Sequence, residues 1–175
     1  MIKIELLTAE NFKPDSLDNY QRRQEVRLVY RKHNGIYQIE ECVYLEDWDM
    51  EKRRYVAKEI SNNAYITYLA LKKEEVVGFI CLKNDLVGDY MILDQLHVSA
   101  VCRGQGIGRN LFEKGKEEAK KAGARALYIS ACSSVETIAF YKAMGARLTD
   151  CPIKELAEAE PYDLQMICDF YGGDR

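Results

Sequence analysis

Proline, histidine and tryptophan are scarce in this chain, with three, two and one of each among 175 residues. The prolines, Pro14, Pro152 and Pro161, fall near the two ends, so none interrupts a strand or helix in the middle, and no Pro/Gly/Ser linker, repeat or low-complexity tract divides it. A basic excess is lacking too. Lys plus Arg number 25 against 28 Asp plus Glu, a net charge of −3, so no positive field is available to neutralise a phosphate backbone, and nucleic acid is not an expected partner. No apolar run approaches the roughly 20 residues that cross a bilayer. Met1 to Leu7 alternate with Lys3 and Glu5 instead of forming a signal core, so no membrane partner and a cytoplasmic location are expected. Cysteines at 42, 81, 102, 132, 151 and 168 form no C-x-x-C pair, and His33 and His97 alone could join them. Reduced, mostly structural thiols and no metal site follow from those spacings.

What is present is an ordinary globular composition, 47% apolar and 30% charged, at a length that suits one folded unit with a sizeable core. Ile2 to Leu7 reads as a first strand and Asp15 to Glu25 as a short polar helix. Val26 to Lys32 and Ile36 to Leu45 flank Asn34-Gly35, a dipeptide suited to a tight hairpin turn. Met50 to Ile60 has helical spacing, and Tyr65 to Leu71 with Val76 to Leu82 form a second hairpin rich in β-branched and aromatic residues. Then come a strand at Tyr90 to Val98, a helix at Gly106 to Ala122, a strand at Ala126 to Ala131, a helix at Val135 to Met144 and a last strand at Tyr162 to Phe170. Antiparallel hairpins followed by strand–helix alternation define an α/β class with a partly parallel central sheet and helices on its faces.

One loop carries chemistry. Ser99 to Gly108 leads from a strand directly into a helix and ends R-G-Q-G-I-G, with glycines at 104, 106 and 108. Backbone without Cβ atoms can approach a ligand closely and turn several N–H groups toward one anion, the helix start adds its dipole, and Arg103 adds a full charge. A phosphate group is the natural guest. Close packing of helix on sheet also selects glycine, so spacing has to decide. A P-loop needs Gly-Lys-Ser or Gly-Lys-Thr where this chain has Gly108-Arg109-Asn110. A dinucleotide fingerprint needs G-x-G-x-x-G where it has G-x-G-x-G, and the next strand, Leu127 to Ala131, ends without a ribose-binding carboxylate.

The run R-G-Q-G-I-G after L-H-V-S resembles the acetyl-CoA loop of the GNAT superfamily of N-acetyltransferases, Q/R-x-x-G-x-G/A, with Arg103, Gly106 and Gly108 in its fixed positions. Ser134 to Gly145 is similar to the family's later helix, N-x-x-A-x-x-x-Y-x-x-x-G. Tyr141 and Gly145 match, while Ser134 and Thr137 stand where the family usually has Asn and Ala. The resemblance covers about Tyr65 to Phe170. It implies a mixed, mostly antiparallel sheet flanked by helices and splayed between the strands at Tyr90 to Val98 and Ala126 to Ala131, with acetyl-CoA as co-substrate lying in the splay. On that reading residues 1–175 are one acetyltransferase domain, with 1–64 a variable substrate-side part carrying the hairpin at 26–45 and 65–170 the acetyl-CoA-binding core. The cofactor side would comprise Leu96, His97, Val98, Arg103, Gly104, Gln105, Gly106, Ile107, Gly108, Arg109 and Ser134, the first three through backbone N–H groups that polarise the acetyl carbonyl.

Acetyl transfer to an amine requires a base for the ammonium, a polarised carbonyl and a proton for the departing thiolate. The resemblance puts Asp94 where many relatives carry an acid, and its neighbours Met91, Ile92, Leu93 and Leu96 would raise its pKa by desolvation. The competing reading is a carboxylate facing solvent. His97 is the alternative base, although strand alternation sets it on the opposite face from Asp94 unless a bulge intervenes, and a structural histidine is the simpler role. Tyr141 matches the family's proton donor to the thiolate, against the alternative of an ordinary core tyrosine among twelve. Cys102 and Cys132 lie near the two motifs without an activating histidine in sequence, so transfer is expected to be direct.

The acceptor is expected to be a small cationic amine beside the hairpin, where Glu40, Glu41, Glu46, Asp47 and Asp49 accompany Tyr37, Tyr44 and Trp48. A solvated acidic hairpin is the bland alternative. The long N-terminal hairpin also looks architecturally like streptothricin acetyltransferases. A non-catalytic acyl-CoA-binding module, or an enzyme for protein or peptide amines, would use the same loop. The exposed hairpins and C-terminal strand are compatible with a homodimer.

Overall fold

The computed structural model describes residues 1–171. Strands β1 (Ile2–Leu6), β4 (Tyr65–Lys72), β5 (Glu75–Lys83), β6 (Tyr90–Val98), β7 (Ala126–Ala131), β9 (Leu164–Asp169) and β8 (Arg147–Leu148) form one seven-stranded sheet in that spatial order. Every neighbour pair is antiparallel except β6 with β7, which run parallel. The strands β2 (Arg23–His33) and β3 (Ile36–Asp47) make a separate two-stranded sheet, joined through Asn34-Gly35, both at positive φ.

Alternation along the strands sorts the core into two faces. Leu82, Met91, Leu93, Leu127, Ile129 and Met166 pack against α2 (Ile107–Lys121) and α3 (Val135–Ala143), which bring Leu111, Phe112 and Ile138. On the other face Leu69, Phe79 and Cys81 meet Val56, Ala57 and Ile60 of α1 (Met50–Ile60), together with Phe12, Leu17 and Tyr20 from the N-terminal segment. A smaller group, Ile92, Tyr128 and Ile167, is covered by Ile153 and Leu156 at α4 (Lys154–Ala159).

The helix expected at Asp15 to Glu25 is not formed. Residues 14–19 are successive turns whose amides reach back three positions, as from Asp18 to Asp15 O and from Tyr20 to Leu17 O at 3.0 Å each, and β2 already begins at Arg23. Leu17 and Tyr20 are driven into the α1 face, and the Ala100 amide takes the Gln21 carbonyl at 2.8 Å, so tertiary bonding draws the chain straight before a helix can propagate. Asp49, grouped above with the acidic arm, caps α1 by accepting the Lys52 amide at 2.8 Å. Helix α4 and the short β8 had no counterpart in the sequence reading.

Helix α2 sits close on β5 because position 115 is glycine: a Cβ there would stand 2.5 Å from Ile80 Cδ1. Gly115→Val should therefore overpack the α2–β5 contact and lower the midpoint of thermal unfolding by roughly 4–10 °C. Differential scanning calorimetry checks this; an unchanged midpoint would mean that Ile80 gives way without cost.

Candidate active site

Strands β6 and β7 part company halfway along. Their parallel ladder runs from Tyr90–Ala126 to Leu93–Ile129 and stops, after which β6 stays with β5 as far as Gly78–Val98 while β7 stays with β9 as far as Ala131–Leu164. At the parting point Cys81 pairs Gln95 and Leu82 pairs Leu93, so Asp94 is an extra residue, a β-bulge that bends β6 away from β7. A cleft of about 950 Å³ opens in the gap. The hairpin crosses its mouth: the Tyr30 amide donates to Ser133 O at 2.8 Å, and Arg31 Nη1 to Ser133 Oγ at 2.6 Å.

The gap exposes backbone groups. The Ser99 amide turns toward β5, donating to Val77 O at 2.9 Å, so alternation turns the Leu96 and Val98 amides toward the cleft. Beyond the strand, a 3-10 turn at Ala100–Cys102 leads to Gly104 and Gly106, which take positive φ of 74° and 77°. Gly106 caps α2 with the first ladder bond running from the Asn110 amide to its carbonyl at 3.0 Å, which leaves the Ile107, Gly108 and Arg109 amides free at the positive end of the helix. Gly108 has a different reason to be glycine, since a Cβ would stand 3.3 Å from Phe140 Cε2. Arg103 is held by a 3.2 Å bond from Nε to Val98 O. Partial burial and the neighbouring Arg22 charge lower its pKa, while it keeps its charge and so can meet an anion.

Leu96, His97, Val98, Arg103, Gly104, Gly106, Ile107, Gly108 and Arg109 all line the cleft, as do Asp94 and Tyr141. Gln105 and Ser134 do not. Ser134 is fully buried, its hydroxyl accepting the Thr137 amide at 3.2 Å as cap of α3 and donating to Thr137 Oγ1 at 2.8 Å.

The bulge also decides which side chains meet. With one residue added, Asp94 and His97 lie on the same face, toward α1: the Glu59 charge bears on Asp94, and the His97 ring lies 5.0 Å from Trp48 and 5.5 Å from Phe79. The Asp94 side chain is 26% exposed, and burial raises its pKa against the opposing pull of Lys83, 4.0 Å away. His97 is held neutral, its pKa pushed down to about 3 by burial and then by Arg22. Arg22 Nε donates to His97 Nδ1 at 3.1 Å, which occupies that lone pair and leaves the proton on Nε2. As a general base His97 is thus disabled.

Arg22 and Asp163 are among the cleft residues that escaped the sequence reading. Arg22 is only 7% exposed and bridges His97 to Glu46, a buried charge hidden inside what read as a polar helix. Asp163 lies in the segment assigned to the last strand; the signal available was a single acid directly ahead of the apolar run Leu164 to Cys168. Of the acidic arm, Glu46 and Asp47 face an adjoining chamber of about 480 Å³ with Trp48 and His97, whereas Glu40 pairs with His33.

A sheet opened between two parallel strands, with free amides and an arginine at a helix start on its rim, is the frame of an acyl-transfer cleft. The model of the acetyltransferase (GNAT) family matches residues 33–146, and the chain belongs to that family, whose members move acetyl from acetyl-CoA to amines. No curated protein matches. Among solved structures, a Bacillus anthracis str. Ames protein assigned as a streptothricin acetyltransferase, in complex with acetyl coenzyme A, is 18% identical with a TM-score of 0.72 over 98% of this chain and 99% of its own. A nourseothricin acetyltransferase is 15% identical at 0.73, over 96% and 98%. The ribosomal-protein-S18-alanine N-acetyltransferase of Escherichia coli is 17% identical at 0.56, over 100% and 99%. Each of these shares the fold.

At Gly106 a side chain would meet open space, so a substitution acts through its positive φ and through whatever occupies the rim. Gly106→Asp places a carboxylate where a diphosphate would sit and should weaken acetyl-CoA binding by on the order of 100-fold, about 2.7 kcal/mol. Titration calorimetry on the folded variant checks it, and an unchanged affinity would put the cofactor elsewhere.

Proposed function

We propose that this chain transfers the acetyl group of acetyl-CoA to a primary amine of a small cationic molecule by direct attack of the amine on the thioester. The Ile107 to Arg109 amides and Arg103 suit the diphosphate, and the Leu96 and Val98 amides suit the thioester oxygen. The observation that carries the acceptor class is the acidic, aromatic character of the cleft on the sheet face away from α2. Asp94 and Asp163 line it, Glu46, Glu160 and Trp48 line the adjoining chamber, and among the described residues neither Asp163 nor Glu160 has an ion-pair partner. An ammonium group is the complement of that wall. The structural neighbours named for streptothricin and nourseothricin support the same class.

In this reading Asp94 accepts a proton from the bound ammonium, directly or through one water, and its raised pKa brings it nearer the pH at which it works. The freed amine attacks the thioester carbon while the Leu96 and Val98 amides take the developing negative charge. Tyr141 then donates its phenolic proton to the departing thiolate. Tyr141 lines the cleft, its hydroxyl makes no hydrogen bond to the described residues, and its pKa is raised first by burial, so it rests in the protonated form the step needs.

Steady-state thiol release with spermidine, streptothricin, an aminoglycoside, a lysine peptide and a neutral primary amine tests the acceptor class. The cationic small molecules should give the highest kcat/KM, and preference for the neutral amine or the peptide would overturn it. Tyr141→Phe should lower kcat by about 100-fold while leaving acetyl-CoA affinity within about twofold, because the phenol is used only as thiolate develops. Asp94→Asn should remove an acidic limb of the pH–rate profile, since activity is lost as pH falls through the Asp94 pKa; two variants at wild-type rates would place base and acid on other residues.

A further inference from the structure

Asp163 takes no part in the transfer as set out above, yet it is the most elaborately supported acid of the cleft. It stands in the turn between α4 and β9, its amide donating to Glu160 O at 3.0 Å, where β7 has already left β6. A chain of four hydrogen bonds ends on one of its oxygens. The Ile153 amide donates to the Tyr128 hydroxyl at 2.9 Å, and that hydroxyl donates to Gln165 Oε1 at 2.7 Å. Gln165 Nε2 donates to Ser130 Oγ at 2.8 Å, and Ser130 Oγ donates to Asp163 Oδ2 at 3.3 Å. In this arrangement each donor has one acceptor, and the chain ends by giving Asp163 Oδ2 a hydroxyl donor. The other oxygen, Oδ1, has no protein partner among the described residues, and neither has the hydroxyl of Tyr141, which lines the same cleft. The Asp163 charge is the largest influence on Tyr141 after burial.

We propose that Asp163 is the proton partner of Tyr141, accepting the second proton of the acceptor nitrogen at Oδ1 and returning it to the phenolate. The proposal rests on the reading of the chain as an N-acetyltransferase with Tyr141 as its acid. The acceptor nitrogen, already neutral, forms its bond to the thioester carbon and the C–S bond breaks. Sulfur takes the Tyr141 proton, the nitrogen gives its surplus proton to Asp163, and Asp163 returns that proton to the phenolate oxygen through water in the cleft, since no direct hydrogen bond joins the two side chains. The products are the amide and the CoA thiol, with both side chains back in their starting states. Without such a partner each turnover would leave a phenolate buried in a wall that already carries acids.

The surroundings favour this use. The charges of Glu160 at the end of α4 and Glu46 of β3 bear on Asp163, its own charge bears on Tyr141 of α3, and the cation of strand β2, Arg31, lies over the Tyr162 ring 4.6 Å away. Burial first, and the Glu160 charge next, push its pKa up to about 6, opposed by the Ser130 hydrogen bond. A carboxylate so placed can both take and surrender a proton near neutrality. Asp94 is poorer at holding a proton taken from the nitrogen, because Lys83 at 4.0 Å favours its charged form.

The test is the pH dependence of kcat for wild type, Asp163→Asn, Asp163→Glu and Asp94→Asn, using whichever of spermidine, streptothricin or a lysine peptide supports thiol release. Asparagine keeps the shape and still accepts from Ser130. Asp163→Asn should lower kcat at least tenfold at pH 7.5, leave the KM for acetyl-CoA and the unfolding midpoint unchanged, and abolish a limb centred near pH 6 that Asp94→Asn retains. Asp163→Glu should restore part of the rate and the limb. An Asp163→Asn enzyme with wild-type kcat and an intact limb overturns the proposal while Tyr141→Phe remains impaired. A wild-type chain that releases thiol with none of the amines overturns the acetyltransferase reading itself, and the relay with it.

Discussion

The cleft depends on an interruption in backbone pairing. Beyond Leu93 and Ile129 the two central strands no longer bond each other, and amides and carbonyls in the middle of a sheet are left without strand partners. Buried backbone groups in that condition are costly, so the gap persists only because something else uses them. Part is used internally, where Arg103 Nε donates to Val98 O. The remainder is what a polar ligand would take up. The bulge at Asp94 forces the parting, and it also sets the faces of Asp94 and His97, so one inserted residue both opens the site and furnishes it.

Around that opening the charges are arranged so that few of them can wander. Arg22 spans from His97 to Glu46, keeping the imidazole neutral and the hairpin close to the sheet, while its Nη1 is buried without a partner. Such a charge is expensive to bury and is retained where it fixes geometry, here the orientation of a ring whose backbone belongs to the strand lining the gap. Burial is the first cause of the raised pKa values of Asp94 and Asp163; it outweighs Lys83 at Asp94 and is joined by the Glu160 charge at Asp163.

Much of this was legible residue by residue. The helix at Met50 to Ile60 was read at its observed bounds, and Gly104 and Gly106 were recognisable because the loop needs left-handed backbone. The wedge between the two strands followed from the resemblance alone. What stayed hidden has physical causes. No glycine or proline marks the bulge, so its effect on Asp94 and His97 could not be seen. Asp15 to Glu25 has the composition of a helix, but Leu17, Tyr20 and Gln21 are claimed by distant partners, and propensity is weak against tertiary bonding. Helix α4 buries no residue of its own and shows little apolar periodicity to detect. Asp163 and Arg22 matter through what folding brings beside them, a property absent from local sequence.

The two-stranded sheet of β2 and β3 is the one large element outside the main ladder. Its polar ties to the rest include the Val29–Ser134 bridge, the Tyr30 and Arg31 bonds to Ser133, and the Arg22 contacts at its base, and Tyr30 and Tyr37 pack on the main core. The bonds to Ser133 and Ser134 hold the arm at the end of β7, whereas a Cβ added at Gly35 in its turn would meet open space. Lengthening or recasting the outer half of this arm would leave the strand parting and the helix start untouched. The recognition of an acceptor and the handling of a thioester are therefore mechanically separable in this chain, and the first can change hands without the second having to be rebuilt.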